Sequence, residues 1–229
     1  MNVLVIGESC LDVFHYGESV RLCPDAPVPV FKSLEVITNG GMAKNVQKNL
    51  ETLGADINIV TNDQWATITK TRFVDRRSNH MFLRVDENDN NYGNLTPDDL
   101  EDIDFPSYDA IIVSDYDKGM LSPDILKQIS ESHPLTFLDS KKVLGDWCNN
   151  FSFIKINHKE YEATKHTLTD TIRQNLIITR GHNGSEHQGV LYKVENVEVK
   201  DTSGAGDTFL SGLVYKYVST SNISESIKF

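Results

Sequence analysis

The residues best placed to do chemistry lie near the C-terminus, in Asp201-Thr202-Ser203-Gly204-Ala205-Gly206-Asp207-Thr208-Phe209. This stretch follows an alternating strand pattern at Val197 to Val199 and runs directly into a helical one. Leu210, Leu213, Val214, Tyr217 and Val218 recur on one face of that helix. Glycines on either side of an alanine let backbone N–H groups converge at the helix start. Those groups have no acceptor within the helix and sit at the positive end of its dipole, so they suit an anionic oxygen. Asp207, in the first turn, stands beside that anion site. A carboxylate there can take a proton from an alcohol while the amides hold charge developing on a transferring phosphoryl group. For a bare GxGD, a glycine turn followed by an ordinary N-terminal Asp is an equally good reading.

Two further groups fall earlier in the chain. Asn2 to Ile6 is a short apolar run ending at Gly7, and Asp12 follows a few residues later. A carboxylate just past the end of a buried strand lies where open α/β sheets bind ligands, although a loop or capping role fits it as well. Gly40-Gly41-Met42-Ala43-Lys44-Asn45 opens a helix with Val46, Leu50 and Leu53 on one face and Gly54 as its stop. The paired glycines admit a ligand close to the backbone. Asn45 taken alone reads as a helix-surface residue. Lys70, Arg72, Arg76, Arg77 and Arg84 form the densest basic region of an acidic chain. They either keep a strand edge solvated or clamp a phosphate, for which the forked donors of arginine are suited.

Positioning these groups requires a scaffold, and the chain spells one out. Tyr108 to Val113, Leu135 to Leu138, Phe153 to Ile156 and Leu176 to Ile178 are apolar strand runs alternating with helical patterns. Such alternation argues for a parallel sheet with ligand loops along its carboxyl edge. Thr67 to Val74 and His80 to Asp86 read as two antiparallel strands, and Pro24 to Lys32 as an extended edge segment. These strands, within 13–39 and 66–88, are expected to form a small β-sheet lid on a single domain spanning 1–229. The length of 229 residues and 39% hydrophobic content suit one large domain, and the net charge of −11 argues against a nucleic-acid or membrane-surface partner. Cys10, Cys23 and Cys148 are widely spaced with no CxxC, which reads as free thiols in a reducing cytoplasm. No signal-peptide or membrane-span pattern is present in the apolar Val3 to Ile6 run.

The nonapeptide at Asp201 resembles the DTxGAGDxF signature of the ribokinase-like (PfkB) carbohydrate kinases, and Gly40 to Asn45 resembles that family's GG-x-A-x-N. The resemblance implies a three-layer α/β/α domain with a mainly parallel central sheet plus a lid. It also implies phosphoryl transfer from ATP, with Mg²⁺, to a sugar hydroxyl. Asp207 would be the base, and the amides of Gly204, Ala205 and Gly206 the anion hole. Asp12, Gly40, Gly41 and Asn45 would hold the sugar. PDAPVPVFK, TITKTRFV with FLRVD, and VSDYDKG look like segments of the heptose-7-phosphate kinase domain of bacterial ADP-heptose synthases. That likeness implies the anomeric 1-hydroxyl of D-glycero-D-manno-heptose 7-phosphate as acceptor. It places Lys70, Arg72, Arg84, Asp115 and Lys118 near the sugar phosphate. Lys141, Asn157, Glu160, Thr179, Arg180, Gly181 and Gly184 match the nucleotide side, with Asn157 and Glu160 in an N-x-x-E motif that helps organise Mg²⁺ indirectly.

Departures from the pattern bear on activity. A helix and its loop are missing between Asp63 and Thr67, and the chain stops at Phe229 where family members continue with helices that complete the adenine pocket. A weakened hold on ATP is therefore expected, and with it a catalytically weak sugar-phosphate- or partner-binding relative, or a kinase for fructose phosphate or ribose, as rival readings. No second, nucleotidyltransferase domain is expected within this chain. Lid sheets of this family often pair between subunits, so a homodimer through the lid is expected.

Overall fold

A computed structural model describes residues 1–195 and 204–229; the strand expected at Val197 to Val199, and Asp201 to Ser203, fall outside the described residues. In chain order the strands are β1 (Asn2–Gly7), β2 (Ser9–Leu22), β3 (Pro29–Met42), β4 (Asp56–Val60), β5 (Thr69–Asp75) and β6 (Met81–Glu87). The later ones are β7 (Ala110–Asp115), β8 (Thr136–Ser140), β9 (Phe153–Asn157), β10 (Leu176–Thr179), β11 (Ser185–His187) and β12 (Val190–Tyr192). The helices are α1 (Ala43–Thr52), α2 (Asp98–Glu101), α3 (Pro123–Ser132), α4 (His158–Thr164), α5 (Asp170–Asn175), α6 (Ala205–Thr220) and α7 (Ile223–Lys228).

Among the described residues the main sheet has the order β12-β11-β10-β9-β8-β7-β1-β4. Its strands from β10 through β4 run parallel, and β11 and β12 add an antiparallel edge. Because both faces of a parallel sheet are covered, its central strands carry apolar runs: Val3 to Ile6 and Ala110 to Val113 are fully buried. Two cores result. Leu4, Ile6, Ile111, Val113 and Leu138 pack with Leu126 and Ile129 of α3 on one face. Val3, Val5 and Ile112 pack with Val46 and Leu50 of α1 and Leu210, Leu213 and Val214 of α6 on the other. The expected amphipathic faces of α1 and α6 are thus the ones that dock.

The second sheet has the order β3-β2-β5-β6. Its outer strands pair antiparallel with their neighbours, and β2 pairs parallel with β5. Both long strands exceed the window expected for them: β2 begins at Ser9 and β3 runs on to Met42. Gly40 and Gly41 therefore end a strand rather than open the helix, which starts at Ala43. The β11–β12 hairpin was not anticipated. Its turn residues Gln188 and Gly189 both have positive φ (49° and 76°), the requirement of a type I′ turn. Gly184, before that hairpin, has φ 88° and would bring a Cβ to 1.9 Å from the Tyr192 carbonyl oxygen. Gly184→Ala is expected to cost about 1–3 kcal/mol in denaturant unfolding, since both the conformation and the space are lost.

Candidate active site

Three elements meet at the carboxyl edge of the main sheet: the N-terminus of α6, the start of α1 and the loop after β7. Gly204 has φ 74°, a conformation that L-residues rarely adopt, and a Cβ there would lie 2.6 Å from Asn45 Nδ2. The first helical hydrogen bond runs from Thr208 N to Gly204 O at 2.9 Å. The amides of Ala205, Gly206 and Asp207 are therefore left without intrahelical acceptors.

Asp207 is buried, at 4% exposure. Asn45 Nδ2 donates to its Oδ2 and the Tyr116 hydroxyl to its Oδ1, both at 2.8 Å. Burial pushes the carboxyl above its ordinary range and the nearby Asp139 adds to this, while the two donors and Lys155 offset part of the rise. Tyr116 itself is pushed well above a normal phenol by burial and by Asp207, so its hydroxyl stays a donor. The loop that carries it is anchored by the buried Glu8, whose carboxylate accepts from Tyr116 N at 2.7 Å and Lys118 N at 3.1 Å. Tyr116 and Glu8 were not singled out in the sequence. An aromatic and an acid at strand ends carry no pattern of their own until the sheet brings residues 108 apart together.

A cavity of about 470 Å³ opens between Asp207 and the small sheet. Alternate residues of the small sheet face it: Asp12, Phe14 and Tyr16 of β2, Lys70 and Arg72 of β5, and Arg84 of β6. Cross-strand register explains the grouping, since Asp12 pairs with Lys70, and Arg72 with Arg84. Asn45, Tyr116, Lys118 and Gly204 also line it, with Ile37, Asn39 and Met42 of β3. Cys10 also lines it, its thiol pushed up to about 12 by burial and the nearby Asp12.

Each cation on this wall already has an internal partner. Arg72 meets Asp12 at 2.5 Å and its guanidinium lies 4.8 Å over the Phe14 ring. Arg84 forks onto Asp86 at 2.7 and 2.8 Å. Lys118 reaches Asp89 at 2.5 Å, and Lys70 holds the other Asp89 oxygen. Burial alone would raise Asp89, but Lys118, Lys70 and the Tyr92 hydroxyl outweigh it and hold the carboxyl well below its usual range.

Two smaller cavities are lined by other residues, and one of them shares the first turn of α6. One, of about 340 Å³, is lined by Thr179, Gly181, Gly184, Ala205, Gly206 and apolar groups that include Phe209 and Phe229. The other, of about 290 Å³, holds Lys141, Asn157 and Glu160. Asn157 and Glu160 form a capping box: Asn157 Oδ1 accepts from Glu160 N, and Glu160 Oε2 from Asn157 N. Glu160 Oε1 pairs with Lys141 at 2.7 Å. With these oxygens engaged, the pair fits a hydrated cation held through water rather than an inner ligand set. No cluster of three or more His, Cys, Asp or Glu that could hold a metal occurs among the described residues.

Several expected site residues stand apart. Asp115 is fully buried and outside the cavity wall, tied to Lys142 at 2.8 Å and to the Ser140 hydroxyl at 2.5 Å. Arg180 pairs with Glu186 at 2.8 Å and bonds His158, off the nucleotide-side cavity. Gly40 and Gly41 do not line the cavity either. A Cβ on Gly41 would come within 2.4 Å of Asp12 Oδ2, so this glycine leaves room for that carboxylate.

Residues 40–229 match the model of the pfkB family carbohydrate kinases, and the chain belongs to that family. The bifunctional protein HldE of Hyphomonas neptunium is 29% identical over 282 residues, covering 99% of this chain and 57% of that protein. HldE of Helicobacter pylori strain J99 is 27% identical over 283 residues, covering 100% and 60%. The chain thus spans a little under two thirds of the length of these relatives. Among solved structures, phosphofructokinase-2 of Escherichia coli superposes with a TM-score of 0.69 at 14% identity, covering 99% of this chain and 90% of that one. Ribokinase of Arabidopsis thaliana, complexed with ribose and ATP, gives 0.63 at 14% identity, covering 98% and 88%. These likenesses establish a ribokinase-like α/β fold. No helix among the described residues is long and apolar enough to cross a membrane.

Proposed function

We propose that this chain transfers the γ-phosphoryl group of ATP to a sugar hydroxyl held between the small sheet and α6. The observation that carries the reading is the buried Asp207 beside the amides of Ala205 and Gly206, at the floor of a cavity rich in polar side chains. In the reaction the acceptor oxygen attacks the γ-phosphorus and its proton passes to Asp207. The bond to the β,γ-bridging oxygen breaks, and its electron pair leaves with ADP. The α6 amides offset charge on the group in transit. Asp12 and Asn45 orient the sugar. Thr179, Gly181 and Gly184 line the nucleotide side, and Lys141, Asn157 and Glu160 contact the phosphates and hydrated Mg²⁺, which when bound neutralises phosphate charge. The HldE relatives support D-glycero-D-manno-heptose 7-phosphate as acceptor, with Lys70, Arg72, Arg84 and Lys118 toward its phosphate. A panel of sugars and sugar phosphates assayed by ADP release tests this. No turnover with any of them would defeat the kinase reading.

A second reading, a kinase for an unphosphorylated sugar, draws support from the internal pairing of all four wall cations. The same panel separates the two.

Tyr116 serves as a positioning residue for the base. Tyr116→Phe removes a donor that lowers the Asp207 pKa. The acid limb of the kcat profile is therefore expected to move to higher pH, with kcat at neutral pH falling about tenfold. An unmoved limb would count against the role.

The chain's assembly is proposed as a homodimer through the small sheet. Val36, His15, Phe73 and Leu83 fall in one cross-strand row on the face opposite the cavity, and Val36 and Leu83 are exposed. Light scattering at micromolar concentration should give twice the chain mass. Free Cys10, Cys23 and Cys148 fit a reducing, cytoplasmic setting.

A further inference from the structure

One residue separates the two sheets: β1 ends at Gly7, β2 begins at Ser9, and Glu8 lies between them. It is fully buried, at 0% exposure. Burial pushes its carboxyl above the ordinary range and the nearby Asp115 adds to this, while two backbone amides and Lys142 offset only part. Lys142 Nζ is itself engaged by Asp115 and Asp117, at 2.8 and 3.0 Å. A carboxylate buried beside another carboxylate is costly to the fold, so its presence calls for an explanation other than stability.

Three consecutive amides show what the charge holds. Tyr116 N donates to Glu8 Oε2 at 2.7 Å, Asp117 N to Asp115 Oδ1 at 3.1 Å, and Lys118 N to Glu8 Oε1 at 3.1 Å. Asp117 has φ 55°, a conformation that L-residues seldom adopt unaided. The two Glu8 oxygens grip the chain on either side of it and fix the turn. Both outer residues of that turn line the cavity: Tyr116 places its hydroxyl 2.8 Å from Asp207 Oδ1, and Lys118 reaches Asp89. The backbone of Glu8 serves the other donor to the base. Ala43 N, the first amide of α1, donates to Glu8 O at 3.0 Å, two residues before Asn45. No side chain caps α1, so this carbonyl holds the helix start.

We infer that Glu8 is a positioning residue for the base: by fixing the turn at 116–118 it holds the Tyr116 hydroxyl on Asp207 and keeps that carboxylate aimed and ionised. The inference rests on the phosphoryl-transfer reading. A hydrogen bond donated to a carboxylate favours its charged form, so a turn that drifts lets Asp207 take up its proton at higher pH. Only an acid fits between the two amides. Glutamine has the same shape but one acceptor oxygen, and its NH₂ would meet one of the N–H donors head on. The charged and titratable groups around Glu8 are Asp115 on β7, Lys142 in the loop after β8, and Tyr92 ahead of α2.

A double-variant cycle on the whole chain tests this, with wild type, Glu8→Gln, Tyr116→Phe and the two combined. Glu8→Gln alone is expected to lower kcat about tenfold and to move the acid limb of the kcat profile to higher pH, as Tyr116→Phe does. In the combined variant the hydroxyl is already gone. Its kcat should therefore stay within about threefold of the lower single variant, and its limb should move no further. An acid that merely supports the fold would lower kcat by the same factor in both backgrounds and leave the limb in place. Multiplying losses, an unmoved limb, or a Glu8→Gln kcat within about threefold of wild type would each overturn the role. Should Glu8→Gln fail to melt cooperatively, Glu8→Asp takes its place in the same cycle. It keeps the charge, draws the carboxylate back by one methylene, and is decided by the same outcomes. If wild type turns over and the losses multiply, this role falls alone. If wild type phosphorylates no sugar, the kinase reading falls and the role with it.

Discussion

Replacing Asp207 by Asn is expected to lower kcat by about 10²–10⁴, the range supplied by a positioned acid or base. The fold should survive the change. Asparagine has the same shape, and its Oδ1 can still accept from Asn45 or Tyr116, although its amide then faces the other donor. Stability responds in a direction that separates a base from a structural ion. Burial raises the Asp207 pKa above the unfolded value, so the folded state binds its proton more tightly. The proton-linked stability is fully present below the unfolded pKa and is lost as pH rises through the folded one. At pH 7 the ionised carboxylate is therefore a net cost to folding. Asp207→Asn should melt at the same temperature as wild type or higher at pH 7, with that advantage gone below pH 4. Kinetics by ADP release and calorimetric melting at the two pH values check both halves. A variant within tenfold of wild-type kcat would remove Asp207 from the mechanism. One that melts lower at pH 7 than wild type would instead assign it a structural charge.

The same raised pKa fixes the acid side of the activity profile. Activity depending on ionised Asp207 should fail at a higher pH than an ordinary carboxylate would allow, as protonation removes the base.

What could be read from the chain alone follows from how local the determining physics is. The GAGD turn was legible because three residues within four positions dictate it: Gly204 for its positive φ, Gly206 for space and Asp207 for its place in the first turn. The parallel strands were legible because burial on both faces makes β1 and β7 continuous apolar runs and the others mostly apolar ones. The β11–β12 hairpin escaped because each of its strands is three residues long, too short to show alternation. Asp115 and Lys118 stand in one motif, yet they separate in space. Asp115 is the last residue of β7, fixed in the core by Lys142 of a neighbouring loop, whereas Lys118 lies past the turn and faces the cavity. Asp89 was lost in an Asn-rich stretch that reads only as a turn. Its role depends on Lys70 and Lys118, which are 19 and 29 residues away and meet it only after the small sheet docks. Ion pairs across sheets have no sequence period, so the charge balance of the cavity was beyond a reading of motifs.

That balance gives the other large expected effect. Asp89 neutralises two of the four cations on the cavity wall, and Asp12 and Asp86 occupy the rest. A phosphate arriving there meets lysines already satisfied and a fixed carboxylate beside them. Asp89→Asn keeps the shape and the hydrogen bond from Tyr92 while removing that charge. The repulsion between one charge and a dianion some 6 Å away, at a dielectric of about 40–80 for a partly open cleft, is about 1.4–3 kcal/mol. For a phosphorylated sugar, KM is therefore expected to fall by about ten- to a hundredfold, with kcat little changed. An unphosphorylated sugar has no such charge, so its KM should stay within a few-fold. The gain should shrink as salt is raised, because the cleft is partly open and screening reaches it. Saturation curves for matched pairs, such as a hexose and its 6-phosphate, at low and high salt read all three effects. If Asp89→Asn raised the KM of the phosphorylated member of each pair, Asp89 would be holding the lysines ready rather than competing for them. The cavity would then be tuned for a phosphate only with this carboxylate in place.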